Sequence, residues 1–522
     1  MIGVVVLTLK LTGATRVFAL ACVIAAIPLT QAVAASNSAL SDKPVAPLTA
    51  EEVAKKKAAK PKVDADKAAQ HKSDKKQHEA AKKGGGHHSS ALSEEPIPVK
   101  NEEDLPKRAG MLVEAWEPFL APGNIKPGFT IPTGAVWQPA LWIFGGYRVT
   151  AGHFDNGVVP GRQFLSNRLD LFANLRLTPT ERVLLGISPL SRHRTEHTGV
   201  FRSDPTGWQF VNGFNANIET LFFEGDFGEL FPNLDPNDSK ALDYGFSIGR
   251  QPIFFQEGMM INDSLDAIAL TRDSISIPGI TPDLRITGLA GLRDVHRDNN
   301  VLDSSAYVLG IFTEIDLRKS TVNVDGAYVI SGSASGSDSI HLGASSVQRI
   351  FGDINAAVRV NASIPVSNTG PNVSDGVLLF TELSKTVTGT EDIVYANGFW
   401  GINEFSSAAR DRGAGGPLGN TGILFAAPQA SLSGSPLSNR AQNVVGGSIG
   451  YQKFLNHGKT QLVFEVGGRK DTNKVNEGAV AFGGQLLHAL NNRTSLQVDA
   501  FISDGQNRTF GTGIRSEIRV RF

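Results

Sequence analysis

From Gly110 to the last residue, apolar and polar side chains take turns along the chain in segments of about ten residues. In one segment Leu169, Leu171, Ala173, Leu175 and Leu177 share a face, while Arg168, Asp170, Asn174 and Arg176 share the other. Ile354, Ala356, Val358, Val360 and Ala362 stand against Asp353, Asn355, Arg359 and Asn361, and Tyr307, Leu309, Ile311 and Ile315 against Glu314 and Asp316. The final segment sets Ile514, Ile518, Val520 and Phe522 against Arg515, Glu517, Arg519 and Arg521. A period of two sends alternate side chains to opposite faces of an extended strand. No apolar run in this region is long enough for a membrane-crossing helix.

Alternation also suits a soluble β-sandwich, and three further features separate the two cases. The pattern runs to the final Phe522, which resembles the C-terminal strand of outer-membrane proteins, whose terminal aromatic is read by the assembly machinery. Aromatic pairs (Trp137 and Trp142, Phe222 and Phe223, Phe254 and Phe255, Phe399 and Trp400) fall near segment ends, where strands cross the headgroup region. Connections alternate in length: Thr178–Glu181, Arg318–Ser320 and Asn491–Asn492 are tight, whereas Thr150–Gln163, Ser191–Gly213 and Gly401–Asn443 are long. An unpaired backbone group in hydrocarbon costs several kcal/mol, so the last strand must pair with the first. The expected fold is all-β: a transmembrane, antiparallel, up-and-down barrel of about 18 strands, with 16 as the alternative and an even number in either case. Both termini are expected on the periplasmic side.

The N-terminal part reads differently. Lys10 and Arg16, the apolar stretch Val17–Leu29 and the small residues of Ala32-Val33-Ala34 predict a signal peptide over residues 1–34. Residues 35–109 read as a disordered periplasmic tail and residues 110–522 as the outer-membrane barrel. Lys43–Lys83 holds twelve Lys and six acidic residues with almost no large apolar ones, so it cannot bury enough surface to offset its ordering entropy. It serves as a tether or touches the cell wall or another anionic periplasmic partner. No nucleic-acid partner and no cofactor is expected. The single cysteine, Cys22, lies in the leader, which rules out sulfur-ligated zinc and iron–sulfur sites in the mature chain. His87-His88 lacks a third ligand nearby, and no metal site is expected.

Alternation assigns the polar faces to the interior, and a barrel of this size leaves an aqueous channel unless loops fill it. Beyond Gly110 there are 25 Arg and 8 Lys against 24 Asp and 15 Glu, a net charge of −6 in which the cations are mostly arginine. On the closed barrel the last strand and the first two are neighbours. Their inward positions would be Arg515, Arg519, Arg521, Arg148, Arg168 and Arg176, interrupted by Glu517 and Asp170, which predicts a basic ladder on one wall. Arg285, Arg359 and Arg469 also point inward by parity, opposed by Glu314, Asp316, Glu465 and Asp499. Such a field would orient anionic or dipolar solutes, or the charges pair across strands and keep the lumen wet. The Gly401–Asn443 connection, with Arg410, Asp411 and Arg412, either folds inward as a constriction or lies outside as a surface loop.

The stretch Ser247–Asp273 resembles the alginate-export type of outer-membrane channel: Gly249, Arg250 and Gln251 at a strand end, Gly258 shortly after, and Asp266 on the returning strand. The resemblance implies an eighteen-stranded barrel with an arginine-rich constriction for anionic substrates. Alternation places Arg250 on the same face as Tyr244, Phe246 and Ile248, so either a bulge re-aims it or it lies above the apolar band.

Three function classes follow. A channel for small hydrophilic solutes, or for export of an anionic substrate, fits the polar lumen. A barrel scaffold or conduit for a periplasmic or surface partner is the alternative. An outer-membrane enzyme would need a nucleophile with a histidine and a carboxylate in reach. His153, His193, His197, His296, His341, His457 and His488 fall mostly in loops or turns, and none sits in a nucleophile motif, so no catalysis is expected.

Overall fold

The computed structural model describes residues 109–119, 127–159, 161–203, 206–237, 239–298, 300–332, 336–366, 372–427, 430, 434–473 and 478–522. The expected signal peptide and nearly all of the expected tail lie outside the described residues.

Eighteen strands form the wall. They are β1 (Ala140–Asp155), β2 (Arg162–Arg176), β3 (Arg182–Ile187), β4 (Ile218–Asp226), β5 (Gly245–Phe255), β6 (Ile261–Ile277), β7 (Thr281–Gly291), β8 (Ala306–Leu317) and β9 (Ser320–Ser331). The ring continues with β10 (Ser339–Ile350), β11 (Ile354–Pro365), β12 (Gly376–Thr386), β13 (Ile393–Glu404), β14 (Gln442–Leu455), β15 (Thr460–Asp471), β16 (Ala479–Ala489), β17 (Thr494–Gly505) and β18 (Gly511–Arg521). Each pairs antiparallel with the next, and β18 returns to β1 from Thr512 opposite Asp155 to Arg521 opposite Gly146. Phe522 and Gly145 then exchange both backbone hydrogen bonds, at 2.7 and 3.1 Å. Beyond that point Val113–Ala115 takes over the ladder, opposite Leu141–Ile143 of β1.

The alternation of the sequence becomes the two faces of this wall. Tyr307, Leu309 and Ile311 of β8, Phe464 and Val466 of β15, and Ile514 and Ile518 of β18 are exposed on the outer face. Between them Val308 and Phe312 turn inward, as do Thr150, Ser166, Asn361, Glu465 and Glu517 elsewhere, and these are buried. An apolar exterior with a largely polar interior inverts the pattern of a soluble domain and is what a lipid surround selects.

Short turns gather at the end that carries Ala140 and Arg521, and longer connections at the other, with three departures. The expected loop Thr150–Gln163 is mostly strand, because β1 and β2 keep pairing as far as Phe154 opposite Arg162. Ser191–Gly213 contains a hairpin, Glu196–Ser203 with Gly207–Val211, that continues the sheet alongside β2. On the turn side, residues 227–244 between β4 and β5 hold the short helix Phe227–Leu230, capped by Asp226 accepting from the Gly228 and Glu229 N–H groups.

The paired aromatics form less of a girdle than the sequence suggests. Adjacent residues on a strand point to opposite faces, so one member of each adjacent pair must leave the lipid side. Trp400 is exposed while Phe399 is buried against Phe425, with ring centroids 5.4 Å apart. Trp142 is buried, donating from Nε1 to the Glu117 carbonyl and stacking edge-on with Phe119.

The outer face makes a direct prediction. Ile449, in the middle of β14, is 65% exposed, and Ile449→Arg should cost about 2–4 kcal/mol in urea unfolding from lipid vesicles. Gln485→Arg on the lumenal face should cost far less. Equal costs for the two substitutions would contradict the assignment of faces.

Candidate functional site

The β13–β14 connection folds into the barrel. Leu418, Leu424, Phe425 and Leu437 from it pack with Phe380, Phe399 and Val444 of the wall as one buried cluster. Apolar packing is non-directional, and the position of the connection is set by polar contacts to its backbone. The Glu465 carboxylate of β15 accepts the Ile423 and Leu424 N–H groups, both at 3.0 Å, and the Tyr395 hydroxyl. Asn397 and Ser448 donate to the Thr421 carbonyl at 2.8 and 2.6 Å. Across the lumen, the Ser166 hydroxyl of β2 donates to the Ala430 carbonyl. The Asn300 amide, in the β7–β8 connection, reaches the Arg410, Asp411 and Gly415 carbonyls at 3.2, 2.9 and 3.2 Å. Buried backbone groups need such partners, so an irregular loop inside a barrel is tolerated only where they are supplied.

A second element leans inward beside it. The β5–β6 hairpin tip reaches the inner faces of distant strands: Phe255 stacks on Phe312 of β8 with centroids 3.4 Å apart, and Gln256 Nε2 donates to Asp325 Oδ2 of β9 at 2.8 Å. Glu257 lies 3.8 Å from Arg359 of β11. Gly249 marks where the hairpin leaves the wall. Its φ is +127°, a conformation open to glycine, and a Cβ there would meet the Leu221 carbonyl at 2.3 Å. Ala409–Arg410 of the in-folded connection pairs in parallel with Ile261–Asn262 of β6, and the Arg410 guanidinium donates to the Gly258 carbonyl. Burial pushes that guanidinium down to about 10, so it stays charged at neutral pH. Arg410 is thus a buried clamp between the two inward elements, while Arg412 is exposed.

No bulge re-aims Arg250: its register with Leu221 and with Asp266 is continuous, and its Nη1 lies 3.7 Å from Asp266 Oδ1. The pair is level with Gly291, where β7 ends, at the loop-side rim. Gln251 turns inward and donates to the Ala267 carbonyl at 3.2 Å.

Elsewhere on the wall the strand register aligns Arg519, Arg148 and Arg168 in one row across β18, β1 and β2. Like charges directly opposite destabilise a sheet, and acids are interleaved accordingly. Glu517, 2% exposed, lies 3.1 Å from Arg519, 3.8 Å from Arg515 and 3.9 Å from Arg148. Asp499 holds Arg515 at 2.6 Å, and Asp170 accepts from Arg168 Nε at 2.9 and 3.0 Å. A cavity of about 390 Å³ separates Arg148, Arg515 and Arg519 from Ile423, Ala427 and Pro436 of the in-folded connection.

The other expected lumenal charges are dispersed. Arg176 is taken by Glu117, at 2.8 Å, and lies over the Trp142 ring, and Arg521 is exposed where β18 ends. Arg285 pairs with Glu314 at 3.3 Å, near a second cavity of about 320 Å³ that Arg359 also lines. Arg359 is paired with Glu382, Asp316 accepts from the Thr321 hydroxyl at 2.7 Å, and Arg469 binds Asp471 at 3.2 Å while donating to the Ser438 and Arg440 carbonyls. Parity alone places Glu465 inward. Its partners, like the role of Asn300, come from sequence-distant segments, and no local signal marks them.

A closed eighteen-stranded barrel, apolar outside, charged within and narrowed by an in-folded connection, is the architecture of an outer-membrane porin-type barrel. No family model and no curated protein matches the chain. Among solved structures it is similar to a BenF-like porin from Pseudomonas fluorescens Pf-5, at 10% identity and a TM-score of 0.48, covering 73% of this chain and 98% of the other. It is also similar to OccK5 (OpdH) of Pseudomonas aeruginosa, at 8% identity, TM-score 0.47, and 73% and 98% coverage. For Wzi, an outer-membrane protein involved in capsule assembly in Escherichia coli, the values are 11% identity, TM-score 0.43, and 72% and 84% coverage.

Glu465→Ala should release the in-folded connection, since the buried Leu424 N–H and the half-buried Ile423 N–H lose their acceptor, the former at about 1–3 kcal/mol. Trypsin should then cut at Arg412 or Arg440 while the barrel keeps its heat-modifiable mobility on gels. Unchanged protection would show that the apolar cluster alone holds the connection in place.

Proposed function

We propose that the protein is an outer-membrane channel through which small hydrophilic solutes, preferentially anions, diffuse. The observation that carries this is the cavity between Arg148, Arg515 and Arg519 of the wall and the in-folded connection. Among its lining residues Arg148, Arg515 and Arg519 outnumber Glu517 and Asp499. Arginine offers a planar fork that fits carboxylate or phosphate, and interleaved acids keep the site from holding an anion too tightly to release it. The alginate-export resemblance points the same way, toward an anionic substrate, either taken up or exported. In this reading Gly249 and Gly258 shape the constriction, Arg410 clamps it, and Arg250 with Asp266 braces the rim.

The rest of the assignment follows from the barrel. The apolar outer band faces lipid, the strand ending at Phe522 engages the assembly machinery, residues 1–34 direct export, and residues 35–109 form a periplasmic tail that tethers the barrel or contacts the cell wall. The alternative, a scaffold for a partner protein, draws support from the apolar cluster that fills one sector of the lumen.

Single-channel conductance of the refolded protein in planar bilayers decides between them. Stepwise openings with a reversal potential favouring anions under a salt gradient are expected. Arg519→Ala should shift that potential toward cations, and Glu517→Gln toward anions, both effects weakening as salt rises. Folded protein that never conducts would move the scaffold reading to first place.

A further inference from the structure

We propose that Asp263, His296 and Asp411 form a binding site for a divalent transition-metal ion that staples the in-folded connection to the barrel wall. These residues are far apart in sequence and come from three elements: β6, the β7–β8 connection, and the β13–β14 connection. One donor atom from each lies within 4.8 Å of the other two. Asp263 Oδ1 is 2.9 Å from His296 Nδ1, a separation suited to neighbouring ligands around an ion with bonds of about 2.0–2.2 Å.

The surroundings prepare the site. Asp263 is held by the Ser264 N–H on Oδ1 and the His296 N–H on Oδ2, each at 2.8 Å. Asp411 is fixed by its N–H to the Asn262 carbonyl at 2.9 Å, and its Oδ1 accepts the Gly413 N–H at 2.7 Å. Both carboxylates are buried. Two buried carboxylates this close repel each other unless a cation lies near both. The cationic side chains facing them are Arg194, 3.8 Å from Asp411, Arg412, and the buried Arg410, which also faces Asp298; Arg194 is itself engaged by Glu219 at 3.1 Å.

One imidazole with two carboxylates selects zinc, nickel or cobalt over calcium and magnesium, whose sites are built from oxygen alone. The ion would replace the proton shared by His296 and Asp263 and draw in Asp411. It would thereby lock Asp411, next to the Arg410 clamp, onto the wall. The inference does not depend on which solute passes through the lumen.

The test uses the full, refolded chain stripped with EDTA, titrated with Zn²⁺ by calorimetry and with Co²⁺ by visible absorption. His296→Gln, which keeps a donor toward Asp263, and Asp411→Asn are compared with the unaltered chain, and each is checked for heat-modifiable mobility. Histidines of the N-terminal segment, such as His87 and His88, remain in every sample, so their binding cancels in the comparison. The expected result is one equivalent of Zn²⁺ whose affinity falls at least about ten-fold in both variants, and a Zn²⁺-dependent rise in Tm only in the unaltered chain. Identical stoichiometry and affinity in all three proteins, or no saturable binding in the unaltered chain, would overturn the proposal.

Discussion

Everything in this structure answers to one constraint: backbone N–H and C=O groups facing hydrocarbon have no water to bond. A sheet can satisfy them only by closing on itself, and here β18 closes on β1 through a continuous register. Where β18 runs out, Phe522 and then Val113–Ala115 keep β1 paired. Closure with eighteen strands has a geometric consequence, because the ring is too wide for inward side chains to fill. The interior must hold water, or something else must enter it.

What enters is a pair of irregular segments, and they bring the backbone problem inside. The β13–β14 connection has few ladder bonds of its own, so its carbonyls and N–H groups are met by side chains from the wall, Glu465, Asn397, Ser448 and Ser166, and by Asn300 of the β7–β8 connection. This explains why polar residues at inward positions are not all lining for solutes. Some hold the constriction, and Arg410, a cation in a loop suited to a pore mouth, is buried in that task. The charges left to face the cavity come from β18, β1 and β17, where Arg519, Arg515 and Arg148 are tempered by Glu517 and Asp499.

Closure, constriction and selectivity therefore depend on one another in that order. The hairpin carrying Gly249 and Gly258 shows the coupling: one glycine lets it leave the wall, and the carbonyl of the other receives the Arg410 clamp. A change in that clamp would alter the lumen without touching any residue of the arginine row.

The sequence by itself determined the barrel, its even strand number, its closure, and the face on which each residue stands. A two-residue period is a local property, and neighbouring strands in an up-and-down barrel are neighbours in the chain. For the same reason the Arg519–Arg148–Arg168 row was legible, as strands 18, 1 and 2 must meet once the ring closes. Only the tertiary structure decided that the β13–β14 connection folds inward, that Arg176 is taken by Glu117, and that Asp263, His296 and Asp411 converge. Those contacts join segments separated by long stretches of chain, and their positions depend on how irregular backbone finds hydrogen-bond partners across the lumen, which no local periodicity encodes.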